Sequence, residues 1–223
     1  MDYTIKGDSL PVLTFQLKEG DTLISQAGGR SWMKGDIETS TSSGGLGKAL
    51  GRMFSGESLF LSTYKARGPA EIAFASNFPG QILARDLEAG QSIIVQKRAF
   101  LCATEGVDIS AYFRKKLSTG FFGGEGFIMQ KMTGPGTAFL EVDGYCQVYD
   151  LAPGEKLVMD TGSLAAMDDS CELEIQQVEG LKNIVFGGEG LFNTVVKGPG
   201  QVVVQSMPIQ KLAQSLGPYL IQQ

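Results

Sequence analysis

Phe54-Ser55-Gly56-Glu57-Ser58, Phe122-Gly123-Gly124-Glu125-Gly126 and Phe186-Gly187-Gly188-Glu189-Gly190 are three near-copies of one pentapeptide, and they decide how the rest of the chain is read. A turn of one type precedes each: Leu17-Lys18-Glu19-Gly20, Leu87-Glu88-Ala89-Gly90 and Leu151-Ala152-Pro153-Gly154. A Gly-Pro turn follows each: Gly68-Pro69, Gly134-Pro135 and Gly198-Pro199. From turn glycine to pentapeptide glycine (Gly20 to Gly56, Gly90 to Gly124, Gly154 to Gly188) the steps are 36, 34 and 34 residues, and from there to the Gly-Pro glycine 12, 10 and 10. Three ordered landmarks at matching offsets read as internal triplication, with small insertions in the first copy.

The units run over about 11–80, 81–144 and 145–208, with a C-terminal tail, 209–223. Segments such as Leu59-Phe60-Leu61-Ser62-Thr63-Tyr64, Thr137-Ala138-Phe139-Leu140-Glu141-Val142 and Gln201-Val202-Val203-Val204-Gln205 are short, β-branched or aromatic, and bounded by Gly or Pro. They predict an all-β fold. Thirty glycines among 223 residues suit its many tight turns. Units of this size rarely bury enough surface alone, so the expectation is a single domain, 1–223, of three similar β units around a pseudo-threefold axis. Helical signal is confined to the connections ahead of the pentapeptides and to the tail, where Leu212 and Leu216 stand four apart before a Gly217-Pro218 stop.

The chain has no histidine, which removes Ser-His-Asp and Cys-His catalysis and imidazole metal ligation together. Gly44-Gly45-Leu46-Gly47-Lys48-Ala49 imitates a phosphate loop, but Ser42 stands where the first Gly belongs and Ala49 replaces the magnesium-binding hydroxyl. Asp168-Asp169 lacks the spaced oxygens, Gly and closing Glu of a calcium loop. Cys102, Cys146 and Cys171 are odd in number and widely spaced, so they read as core thiols rather than a disulfide frame or zinc site. No cofactor and no enzymatic activity are expected. A net charge of −5 argues against a general nucleic-acid surface. There is no signal-peptide layout and no apolar run of membrane-spanning length, so the expected location is cytoplasmic, with peripheral membrane contact left open.

Two residue sets remain as candidates. Glu57, Glu125 and Glu189 recur in every pentapeptide; a shared cation site is one reading, and a structural corner in which each accepts backbone N–H groups is the preferred one. The connections combine apolar and basic residues: Leu46, Lys48, Leu50, Arg52, Met53 and Phe54 in the first copy, and Ile109, Tyr112, Phe113, Leu117 beside Arg114, Lys115 and Lys116 in the second. Read at helical spacing, these make an amphipathic surface for a membrane or protein partner. Uncovered strand edges also point to a homo-oligomer.

Ala27-Gly28-Gly29-Arg30-Ser31-Trp32-Met33, the Gly44-to-Phe54 connection, the pentapeptides and the Gly-Pro turns together resemble the bacterial members of the family of a yeast mitochondrial protein named for altered inheritance of mitochondria. The resemblance covers essentially the whole chain. It implies three β units like those of the trp RNA-binding attenuation protein, folded in the style of a double-stranded β-helix, and bacterial members of unknown function. It supplies no catalytic residues. The function read from all this is a non-enzymatic scaffold or interaction protein, with a small-ligand- or RNA-binding regulator as the alternative by analogy of fold. Against RNA stands the position twelve residues past each turn glycine: Trp32 is matched by Cys102 and Ala166, not by stacking aromatics.

Overall fold

The computed structural model describes residues 1–43, 60–115, 126–177 and 192–220, and these are predominantly strand. The strands are β1 (Asp2–Lys6), β2 (Val12–Leu17), β3 (Thr22–Gln26), β4 (Trp32–Ser43), β5 (Phe60–Ala75), β6 (Gly80–Leu87), β7 (Ser92–Gln96), β8 (Phe100–Thr104) and β9 (Asp108–Lys115). They continue as β10 (Phe127–Thr133), β11 (Gly136–Asp143), β12 (Cys146–Leu151), β13 (Lys156–Asp160), β14 (Leu164–Asp168), β15 (Glu172–Gln177), β16 (Phe192–Lys197) and β17 (Gly200–Gln205). A helix, α1 (Ile209–Leu220), follows. Single 3-10 turns at Lys97–Ala99 and Thr161–Ser163 each stand seven residues past a turn glycine, Gly90 and Gly154.

Alternation writes the strands. In β2, Leu13, Phe15 and Leu17 are buried while Gln16 faces water, the period-two pattern of a strand with one covered face. The chain forms two compact units. The first comprises Met1–Ser92, Arg98–Ala111 and Lys131–Glu141. Its core sets Phe15 edge-on to Phe139 at 5.1 Å and to Phe74 at 6.1 Å, with Leu13, Leu23 and Ile72 around them. Such edge-to-face pairs add about 0.5–1.5 kcal/mol beyond area burial. The second unit comprises Ile93–Lys97, Tyr112–Gln130 and Val142–Gln223, and packs Ile94, Phe127, Met129, Leu164, Met167, Val196 and Val202 together.

The three turns quoted above are built with the same bonds. Gly20, Gly90 and Gly154 adopt φ of 92°, 82° and 82°, a left-handed conformation that only glycine takes without cost. Their N–H groups donate to the carbonyls of Ala66, Gly134 and Gly198 at 3.0, 3.4 and 3.3 Å, and those residues donate back to Asp21, Gln91 and Glu155 at 2.9, 3.0 and 2.9 Å. The side chains of Asp21, Gln91 and Glu155 each accept the backbone N–H three residues earlier. Here the structure refines the offsets. Ala66, ten residues past Gly56, takes the place of Gly134 and Gly198, whereas the strand beyond resumes from Gly68-Pro69, since Leu17 pairs with Ala70 as Leu151 pairs with Gly200. The two extra residues of the first copy therefore lie between Ala66 and Pro69. There β5 runs on without a break and bulges against β4 between Gly35 and Ile37.

Two helical expectations are corrected. Ile109, Tyr112 and Phe113 lie on strand β9, which pairs with β10. A spacing of four, Ile109 to Phe113, satisfies both the helical and the strand period, and an available partner strand decides for the strand. In the tail, α1 passes through Gly217-Pro218 instead of stopping before it. Proline removes one backbone donor from the last turn, which weakens that turn without forbidding it.

Candidate functional site

Of the residues expected to form a docking surface, Leu46, Lys48, Leu50, Arg52, Met53, Phe54 and Lys116 lie outside the described residues, as do Glu57, Glu125 and Glu189. Arg114 and Lys115 lie on β9. The strand separates Tyr112 from Phe113: Tyr112 is exposed, and Phe113 turns to the other face, its ring edge-on to Phe127 at 6.5 Å. They do not form one outward apolar face.

The first unit carries an open groove of about 410 Å³. Phe15 and Phe139 floor it, Tyr3 stands edge-on to Phe139 at 4.9 Å, and the rim includes Asp21, Thr22, Thr104, Glu105 and Thr137. Asp21, Thr104 and Thr137 on the rim are already engaged. Asp21 accepts the Lys18 N–H at 2.9 Å, Thr104 accepts the Thr137 N–H at 2.8 Å, and Thr137 donates to Asp86 at 2.7 Å. An aromatic floor beneath two carboxylates suits an apolar or cationic group and repels phosphate.

The thiols are equally committed to structure. Cys102 is fully buried, and desolvation holds its thiol well above the ordinary range. Burial, and secondarily the Asp168 carboxylate, raise that of Cys171. Neither has the electropositive setting of a reactive cysteine.

The sequence reading expected uncovered strand edges but did not place one on β12. β12 is an end strand, bonded among the described residues to β17 alone; it exposes Val148 and Tyr149, and Tyr145 just ahead of it is exposed as well. Tyr145 accepts from the Ser206 N–H at 3.1 Å, so the odd-numbered residues turn their peptide groups toward β17. Those of Val148 and Asp150 then point outward, and the Gln147 side-chain amide donates to the outward Val148 carbonyl at 2.9 Å. β2 is the same strand counted from its turn, Thr14 standing six residues before Gly20 as Val148 does before Gly154. The outer edge of β2 is covered by β1, with Thr4 opposite Thr14 and Tyr3 opposite Phe15. One signal was available: Gln147-Val148-Tyr149-Asp150 puts an apolar residue on each face, which fits neither a buried strand nor a half-buried one.

No helix among the described residues is long and apolar enough to cross a membrane. A crystal structure of a protein from Streptococcus pyogenes shares this fold, with a TM-score of 0.78 at 24% identity, covering 98% of this chain and 99% of that one. An uncharacterized protein of Streptococcus pyogenes serotype M6 is 27% identical over 230 residues, 99% of this chain and 91% of that protein. Residues 3–207 match the family described as Mitochondrial biogenesis AIM24, and the chain belongs to that family.

Proposed function

We propose that this chain is a non-enzymatic interaction protein whose contact is the free edge of β12, where an extended segment of a protein partner adds as a further antiparallel strand. The observation that carries the reading is the contrast between β2, whose outer edge is paired with β1, and β12, which among the described residues has no strand on its outer edge and is flanked by tyrosines. Strand addition draws affinity from main-chain bonds and specificity from flanking side chains, and tyrosine is enriched where surfaces bind. We further read the chain as three similar β units about a pseudo-threefold axis, in the manner of the attenuation protein; the recurrent bonds of the three turns support this.

Affinity capture from the native cell, with membranes kept intact, tests the function. Val148→Pro removes an outward N–H without touching the bonds to β17, a place where an edge strand tolerates proline. The captured proteins are lost with Val148→Pro and kept with Asp21→Asn in the groove; equal capture by both variants refutes the reading. The membrane version rests on the basic-apolar connections, and flotation with anionic vesicles at low salt tests it, absence of binding removing it. The RNA-binding alternative is disfavoured at the groove by Asp21 and Glu105. Retention of mixed RNA on a filter would revive it.

A further inference from the structure

The pairing of β1 with β2 is a template for the segment that fits β12. β1 lies antiparallel on β2, with Asp2 opposite Gln16, Tyr3 opposite Phe15 and Thr4 opposite Thr14. Counted back from the turn glycines Gly20 and Gly154, these β2 residues correspond to Asp150, Tyr149 and Val148. The inner bonds correspond as well: the Pro11 carbonyl accepts from the Ser76 N–H at 2.9 Å as the Tyr145 carbonyl accepts from that of Ser206 at 3.1 Å, each nine residues before its turn glycine. In both strands the even-numbered residues therefore turn their peptide groups outward, toward β1 in one and toward no described strand in the other.

Two differences between the strands say what kind of segment that is. The first is apolar cover. Phe15 is fully buried, with the Tyr3 ring 5.9 Å from its own, whereas Tyr149 is 42% exposed. A residue opposite Tyr149 falls in a non-hydrogen-bonded pair, where side chains approach closest, so an aromatic residue there lies by the Tyr149 ring as Tyr3 lies by Phe15. The second difference is charge. Asp2 stands opposite the neutral amide of Gln16, but the corresponding residue of β12 is Asp150, which is exposed and paired across to β17 with neutral Gln201. An acidic residue on the outer side would set two carboxylates directly opposite each other, which is destabilising, whereas a basic one pairs with Asp150. By the same rule β1 of a second copy is a poor occupant, because its Asp2 would meet Asp150.

We propose, on the basis of the strand addition above, that the segment taken by β12 carries a lysine or arginine opposite Asp150, then an aromatic residue opposite Tyr149 and a β-branched residue opposite Val148. Read from its N-terminus, it has the order of Asp2-Tyr3-Thr4 with the charge at the first position reversed. The partner is thus a different protein with a basic extended segment, and the acidic first position of β1 keeps copies of this chain from adding to one another at that edge.

Two capped peptides serve as probes, one with the β1 sequence Asp2–Lys6 and one with the same sequence carrying Asp2→Lys. Titrated at low salt against the whole chain, the lysine peptide shifts the Val148 and Asp150 amide resonances at a concentration about three- to tenfold below that needed by the aspartate peptide. Asp150→Lys in the chain inverts that order, and Val148→Pro abolishes both responses. In capture from the native cell, Asp150→Lys loses the captured proteins as Val148→Pro does. Peptides of equal affinity, or an order that Asp150→Lys leaves as it was, overturn the partner chemistry and leave strand addition standing. So does the absence of any peptide response when capture still depends on Val148. No peptide response together with capture that ignores Val148→Pro overturns strand addition as well.

Discussion

Glu141 shows how a single side chain holds a corner. It is buried, and one of its carboxylate oxygens, Oε1, accepts from the Ser76 hydroxyl at 2.8 Å and from the backbone N–H groups of Asn77 and Phe78 at 2.6 and 3.3 Å. Glu141→Ala leaves those donors without their acceptor and is expected to cost about 2–4 kcal/mol in urea unfolding. Gly134 is constrained by space. A methyl group there would collide with the Leu87 and Glu88 carbonyl oxygens, whereas Ala66 holds the corresponding position with its Cβ in place. Gly134→Ala is therefore expected to lower the melting temperature sharply, and Ala66→Gly to cost only about 0.5–1 kcal/mol.

The buried thiols set a pH dependence with a definite sign. Because Cys102 holds its proton more tightly folded than unfolded, the native state keeps a proton that the unfolded chain loses above about pH 8.5. Stability is thus unaffected below that pH and falls as pH rises through it, by up to about 1.4 kcal/mol per unit. Urea midpoints measured between pH 7 and pH 10 should decline, and Cys102→Ala should flatten the decline even though it lowers the starting stability.

At the scale of elements, β2 and β12 make a matched pair. Thr14→Pro strikes an edge that β1 occupies and should cost about 1–3 kcal/mol through a lost ladder bond and its orphaned partner. Val148→Pro, at the same place in β12, should leave the melting temperature nearly unchanged. Equal losses at the two positions would mean that the β12 edge is covered in the free protein. This pair was legible in the sequence only in part. The turns at Gly20, Gly90 and Gly154 and the strands leading into them follow from the glycine spacing and from alternation at Leu13, Phe15 and Leu17. The fate of Ile109 and Phe113 does not, because a four-residue spacing serves both periods and the choice depends on β10, a strand that starts eighteen residues after Ile109. Nor does the exposure of Trp32, since the offsets align it with Cys102 and Ala166, both of which are buried.

For the molecule as a whole, the repeated pentapeptides directed attention to carboxylates and basic connections, while the described strands direct it to edges. Edges are hard to read from sequence, since whether a strand ends a sheet depends on pairings between residues far apart in the chain. Among the described residues β12 ends its sheet, and its outer edge is the one we propose to take a partner strand. Amide hydrogen exchange of the chain with its captured partner, compared with the chain alone, tests the central claim most directly. The account predicts that the Val148 and Asp150 amides exchange fast in the free protein and become protected in the complex. Unchanged exchange at both, with new protection at Asp21, Thr22 and Glu105 around the groove, would contradict it.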